Sequence, residues 1–199
     1  MDDAVRRALA RWPDVPDLYG WLSLDRRGRW RIQGELISRP QILDLFDRRY
    51  QCDARGAWFI QNGPQRGFVE LEATPFILTA AADGGWTTHT GQAAGAVRTV
   101  CLDEEGAVVL DTALGAGLVA EHDLPWALEC LVDESGAQVT EATLADALSV
   151  PGGQLTALRW RQAGEEWTVG RVDRHDLPTA LGFIRTPAPA AAKPGISHH

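Results

Sequence analysis

Asp25-Arg26-Arg27-Gly28 and Asp53-Ala54-Arg55-Gly56 return later in the chain as Asp103-Glu104-Glu105-Gly106 and Asp133-Glu134-Ser135-Gly136. The spacing gives an internal period of roughly 79 residues, and such self-similarity is the mark of a duplicated architecture. Asp at the first position of a type I turn bonds nearby backbone N–H groups through its carboxylate, while Gly at the fourth takes a left-handed conformation. Flanked by apolar runs, this tetrapeptide predicts a hairpin turn with a bulge. Between the members of each pair lies a helical stripe. One spans 39–50, with Ile42, Leu43, Leu45 and Phe46; the other spans 122–132, with Leu124, Leu128, Leu131 and Val132. Pro40 and Pro125 stand near their starts, where a missing N–H costs little.

Hairpin, helix, hairpin therefore occurs twice. The expected fold is α+β, a tandem duplication of a hairpin–helix–hairpin unit, with antiparallel sheets or partial barrels each packed by a helix. Residues 1–16 read as an N-terminal helix or leader, 17–95 as the first unit, 96–185 as the second, and 186–199 as a Pro- and Ala-rich disordered tail.

Working outward from the turns, 57–61 and 67–71 pair as strands across Asn62-Gly63-Pro64-Gln65-Arg66, and Val69, Leu71 and Ala73 alternate with polar residues. Strands are also expected at 76–80 and 86–90 around Asp83-Gly84-Gly85, and at 97–102 and 107–110 in the second half. Residues 140–148 read as a helix. Glu121-His122-Asp123-Leu124-Pro125 is echoed by Arg174-His175-Asp176-Leu177-Pro178. Each echo reads as a helix start, with Asp as N-cap and Pro in the first turn.

The formal net charge of −8 argues against a nucleic-acid partner, which calls for a basic patch. Its distribution is uneven. Residues 20–70 hold nine arginines and six acids, whereas 101–158 hold eleven acids and no Lys or Arg. That asymmetry can seat one half against the other or attract a basic partner. No apolar run is long enough to span a membrane, and the first residues lack the apolar core of a signal peptide. Cys52, Cys101 and Cys130 are odd in number and lack metal or redox spacing, and each sits beside apolar or strand-like neighbours, so reduced, buried thiols in a cytoplasmic protein are expected.

A resemblance adds to this reading. Arg27-Gly28-Arg29-Trp30, Gly34-Glu35-Leu36-Ile37, Leu45-Phe46 and the run from Trp58 to Arg66 resemble an uncharacterised proteobacterial family of unknown function. So do Val69–Phe76 and Thr88-His89-Thr90-Gly91. More distantly, the pattern is similar to another bacterial family of unknown function with two similar α+β units. The resemblance covers about residues 20–135 and implies a fold without assigning catalytic residues.

Candidate site residues follow from chemistry. Gln61, Asn62 and Gln65 offer amide donors and acceptors, and Arg66 a fork suited to carboxylate or phosphate. His89, with Thr90 beside it, is a titratable group at a strand end. No His-x-x-x-His, Gly-x-Ser-x-Gly or phosphate-loop pattern is present, so neither a metal nor a cofactor is expected. The leading expectation is a non-catalytic ligand-binding or regulatory module with a small polar or anionic ligand near the junction of the halves. The alternatives are a small-molecule enzyme using His89 and Arg66, or an adaptor holding a protein partner through the acidic second half.

Overall fold

The computed structural model describes residues 12–189. The expectations for residues 1–11 and for 190–199 lie outside the described residues. All four Asp-x-x-Gly turns form with the same wiring. In each, the Gly N–H donates to the Asp carbonyl at 2.9–3.1 Å, and the Asp Oδ1 takes two backbone N–H groups, two and four residues on. The closing glycines have φ of 76°, 87°, 81° and 83°, the left-handed region that makes Gly the fitting residue.

These turns organise two sheets. The first contains β1 (Asp17–Leu24), β2 (Trp30–Ile32), β3 (Glu35–Leu36), β4 (Tyr50–Cys52), β5 (Trp58–Asn62) and β6 (Gln65–Leu71), in the order β3-β2-β1-β6-β5-β4. The second contains β9 (Val97–Leu102), β10 (Val108–Thr112), β11 (Ala116–Val119), β12 (Leu131–Val132), β13 (Gln154–Gln162) and β14 (Glu165–Arg171), in the order β12-β13-β14-β9-β10-β11. The topologies are identical. Each is two antiparallel three-stranded meanders joined by a central parallel pair, β1 with β6 and β9 with β14. Register agrees too: Leu24 faces Leu71, and Leu102 faces Arg171. The fold is the α+β, two-unit arrangement of curled sheets that the repeat predicts.

Helices occupy corresponding connections. α1 (Pro40–Arg49) joins β3 to β4 and buries Phe46; α2 (Leu124–Glu129) follows a 3-10 turn at Glu121–Asp123 and joins β11 to β12. The second unit inserts α3 (Glu141–Ser149) before β13, capped by a reciprocal Thr140–Thr143 box. α4 (Leu177–Leu181) follows β14. At the two echoed helix starts, neither Asp123 nor Asp176 makes a side-chain cap bond. The Asp123 carboxylate instead accepts the N–H of Ala80 at 2.8 Å, because the end of a neighbouring strand offers an unpaired donor.

The two units exchange segments. β7 (Phe76–Ala80) and β8 (Trp86–Thr88) precede the second repeat in sequence, yet β7 pairs in parallel with β11 and extends the second sheet. The chain therefore changes sheets at 72–75, and the expected first unit, 17–95, contributes to both. In the other direction, the segment after α4 returns to the first unit, where Ile184 donates to the Gly56 carbonyl and Leu71 to that of Arg185. One apolar core runs through both sheets, from Trp30, Phe46 and Tyr50 to Leu110, Leu158 and Trp160. Such shared burial, about 25 cal/mol per Å² of apolar surface, resists separation of the units. No helix among the described residues is long and apolar enough to cross a membrane.

Candidate functional site

The polar loop at 61–66 is a tight hairpin end, and most of its side chains are bound by the chain. Gln61 Nε2 donates to the carbonyls of Gly63 and Gln65 at 2.7 and 3.1 Å. Gln65 Nε2 ties down the carbonyls of Pro13 and Val15. Arg66 holds Asp17 through two bonds of 2.7 and 2.8 Å and lies over the rings of Phe59 and Phe68. Gln61 and Asn62 border a cavity of about 70 Å³, against α1 and Trp12. The amide donors of Gln61 and Gln65 are thus taken up by the chain itself, the Arg66 fork is held by the Asp17 carboxylate, and Asn62 is exposed.

His89 lies elsewhere. The parallel register places Arg66 beside Asp17 and Leu71 beside Leu24, so Arg66 and the Asp25 turn stand at opposite ends of β6, roughly 16 Å apart. His89 packs near that turn: a Cβ on Gly28 would stand 2.7 Å from the His89 Cβ. Its ring sits 5.3 Å from Trp30 and 5.9 Å from both Tyr50 and Phe76. Nδ1 accepts the Ile77 N–H at 3.3 Å, which puts the proton on Nε2. Burial pushes the pKa down to about 3, so the imidazole is neutral at physiological pH. Nε2 is closed off from solvent and has no hydrogen-bond partner, although part of the residue remains exposed. With Nδ1 engaged and Nε2 protonated, His89 has no free lone pair for a general base. Thr90 shares a 2.9 Å hydroxyl contact with Thr88 inside its own turn. The structure does not bring His89 and Arg66 together.

The structure instead brings His89 together with residues from both units. A cavity of about 450 Å³ is walled by Arg26, Arg27 and Gly28 from the first turn and by Ile77, Thr79 and His89 from the exchanged hairpin. Ala120, Glu121 and His122 close it from the second unit. Arg27 and Glu121 approach across it to 3.9 Å, an exposed pair worth little energy.

A second junction cavity, about 170 Å³, also uses Arg26. Its walls include Glu72 and Thr74 from the first unit, Asp103 from the matching turn of the second, and Arg174 and Arg185 near α4. Asp103 is buried, and its carboxylate accepts the N–H groups of Glu105 and Ala107 and two bonds of 3.2 Å from Arg174. Arg174 also pairs with Glu105 at 2.5 Å, and its own N–H donates to Glu104. The two matched turns thus carry opposite charge, Arg26-Arg27 against Glu104-Glu105. The Arg174 guanidinium, and Arg26 behind it, hold the Glu105 carboxyl below its usual range.

Sequence reading missed Arg26, Arg174 and Arg185 as site residues because they come from three distant segments. One signal was available: the repeated turn carries Arg26-Arg27 in one copy and Glu104-Glu105 in the other, which marks the turn positions as charged.

Other candidates are structural. His122 and His175 approach the carboxylates of their neighbours Asp123 and Asp176 at 3.4 Å on exposed surface. Asp173, His175 and Asp176 cluster, but Asp173 is taken by Arg171 at 2.7 Å. Cys101 and Cys130 are buried as expected, with thiols pushed up to about 11, chiefly by burial, which leaves them poor nucleophiles; Cys52, on the short edge strand β4, is exposed instead. A further cavity of about 450 Å³ lies inside the second unit, between the Asp133 turn, α3 and β13, with Asp133, Glu134 and Asp146 on its walls. Among the described residues, none of the buried polar atoms that lack a partner lines it. The junction, where two of its arginines and His89 have such atoms, is the better site.

The fold and junction define a class: a two-unit α+β protein with a charged seam between duplicated sheets. The sequence pattern of the DUF2944 family, described as "Protein of unknown function (DUF2946)", matches residues 1–188, and the chain belongs to that family. No curated protein matches it. Among solved structures, it is similar to a DUF1285 family protein from Silicibacter pomeroyi DSS-3, with 13% identity and a TM-score of 0.50 over 87% of this chain and 96% of that one. A DUF1285 family protein from Shewanella baltica OS155 is 17% identical over 51% of this chain and 85% of that one, with a TM-score of 0.40. The first of these likenesses supports the fold, in keeping with the family resemblance of the sequence.

Proposed function

We propose that this chain is a non-catalytic binding module that holds a small polar or anionic molecule in the 450 Å³ cavity between its units. One observation carries the reading: both repeats and the exchanged hairpin contribute walls to one cavity, with Arg26, Arg27 and His89 among them. Domain junctions are favoured places for such sites, and the size falls in the range of small-molecule pockets. Ile77 and Ala120 offer an apolar wall, while the two arginines favour negative charge. A regulatory role follows naturally, since a ligand that touches both units would tighten their association.

The test is ligand-observed NMR against a panel of small carboxylates and phosphate monoesters, repeated with Thr79→Tyr to fill the cavity. Binding that vanishes in the variant supports the reading; binding that persists unchanged, or no binding by any compound, rejects it. The acidic cavity beside α3 favours a second reading, an adaptor for a basic protein partner. Partner association that weakens steeply with salt and is lost on Asp146→Lys would favour that alternative.

A further inference from the structure

Two of the arginines that line the smaller junction cavity have a donor left over. Five charged residues line it, Arg26, Arg174, Arg185, Glu72 and Asp103. Both acids are already engaged by the chain. Asp103 is held by its own turn and by Arg174, and Glu72 accepts the Arg26 backbone N–H at 3.1 Å. Arg174 is in turn neutralised by Asp103 and Glu105. Arg26 and Arg185 are not matched in this way. The Nε of each is shut off from solvent and bonds to nothing, and Arg185 is held only through Nη2, by the Arg174 carbonyl. Burial, with the charge of Arg174 adding to it and that of Glu104 opposing it, pulls the pKa of Arg185 below its ordinary value.

A buried guanidinium N–H without an acceptor is costly, and a charged donor more so than a neutral one. An oxygen brought within reach of either N–H would relieve it. We propose that the Arg26–Arg174–Arg185 cavity is a binding site for a small oxyanion, a carboxylate or a phosphate, received by the Nε–H groups of Arg26 and Arg185. Asp103 and Glu105 already occupy Arg174, so the unpartnered donors among the three arginines are the Nε–H groups of Arg26 and Arg185. Thr74 lines the same wall, but its hydroxyl already donates to the Phe76 carbonyl, so the arginines carry recognition. A volume of about 170 Å³ admits a small oxyanion with a water or two and falls below the roughly 300 Å³ typical of larger ligands. The site draws on Asp103 and Arg174 from one repeat and on Arg26 and Glu72 from the other, so the anion would act as a staple between the copies. It does not depend on occupation of the larger cavity, which Arg185 does not line.

The experiment titrates the full chain with inorganic phosphate, with acetate, and with sodium chloride at matched ionic strength. Arginine Nε–H NMR resonances and thermal stability are followed together. The expected result is saturable binding of phosphate or acetate at millimolar concentration or below. The Nε–H signals of Arg26 and Arg185 should shift, and affinity should weaken roughly tenfold or more in Arg185→Gln. Preference for phosphate or for acetate assigns the anion. If Arg185→Gln does not fold, the Nε–H shifts of the unmodified chain decide alone. Saturation without movement of those two signals, a response that chloride reproduces, or no saturation at all overturns the proposal. Binding of the organic panel lost on Thr79→Tyr while phosphate still saturates separates this site from the larger one.

Discussion

Where the Asp25 turn carries Arg26 and Arg27, its counterpart after β9 carries Glu104 and Glu105, although the two turns share every backbone hydrogen bond. The same contrast runs through the two units. Their six strands follow one order around one parallel pair, yet the first unit buries an aromatic group around Trp30 and Tyr50, and the second inserts α3. What is common is backbone wiring, which fixes a fold; what differs is side chains at the seam. Arg27 approaches Glu121 of the other unit, whereas Glu104 and Glu105 take Arg174 of their own.

Turn glycines give the sharpest way to break the comparison. At Gly56 a Cβ would stand 2.5 Å from the Gly182 carbonyl oxygen, backbone that the returning C-terminal segment holds in place. Gly56→Ala should cost about 3 kcal/mol or more, since the clash adds to left-handed strain. Its counterpart Gly136 would meet only the end of the Arg161 side chain at 2.8 Å, which can swing away, so Gly136→Ala should cost about 1–2 kcal/mol. Gly106 meets Leu148 at an ordinary 3.6 Å, and Gly106→Ala should cost about 1 kcal/mol. Urea denaturation of the three variants checks the order, and equal losses would contradict the exchange of segments described for the first unit.

Replacing the turn aspartates probes the same asymmetry. Asp103→Asn removes the charge that holds Arg174 in the buried seam and should cost about 2–3 kcal/mol. Asp133→Asn, on an exposed turn, should cost visibly less in the same melts.

His89 ties stability to pH. Its folded pKa of about 3 lies below the ordinary value of 6.5, so the unfolded chain binds the extra proton first. The contribution is complete above pH 6.5 and is lost as pH falls towards 3, with a slope approaching about 1.4 kcal/mol per pH unit. His89→Phe should remove that slope between pH 6 and 4, as measured by denaturation across the range. A variant with the parent's slope would show that the ring is not sealed among Trp30, Tyr50 and Phe76. The smallest effect is expected at Arg66→Gln, because a partly exposed ion pair with Asp17 contributes less than about 1 kcal/mol. Ligand binding at the junction should be unchanged by it.

Much of the fold was legible because its signals are local. Asp and Gly at fixed spacing specify the turns, and Pro40 with the apolar stripe specifies α1. The destination of β7 and β8 was not legible, since a hairpin sequence records its own pairing but not the sheet edge it joins. The Asp123 cap failed for a similar reason: a distant N–H, that of Ala80, competed for the carboxylate. At the site, His89 was visible as a lone titratable group and does line the junction. The loop at 61–66 misled because polarity alone does not show whether amides are free, and Gln61 and Gln65 bond the nearby backbone. Arg26 stood in plain view inside a repeated motif, but its partners Arg174 and Arg185 lie more than a whole repeat away.

The most direct test of the junction as the binding surface is backbone amide shift mapping of the full chain with bound carboxylates or phosphate monoesters. The account predicts shifts at residues 26–28, 77–79, 89 and 120–122, with residues 61–66 unmoved. Shifts concentrated at 61–66, or absent from the junction, would contradict it.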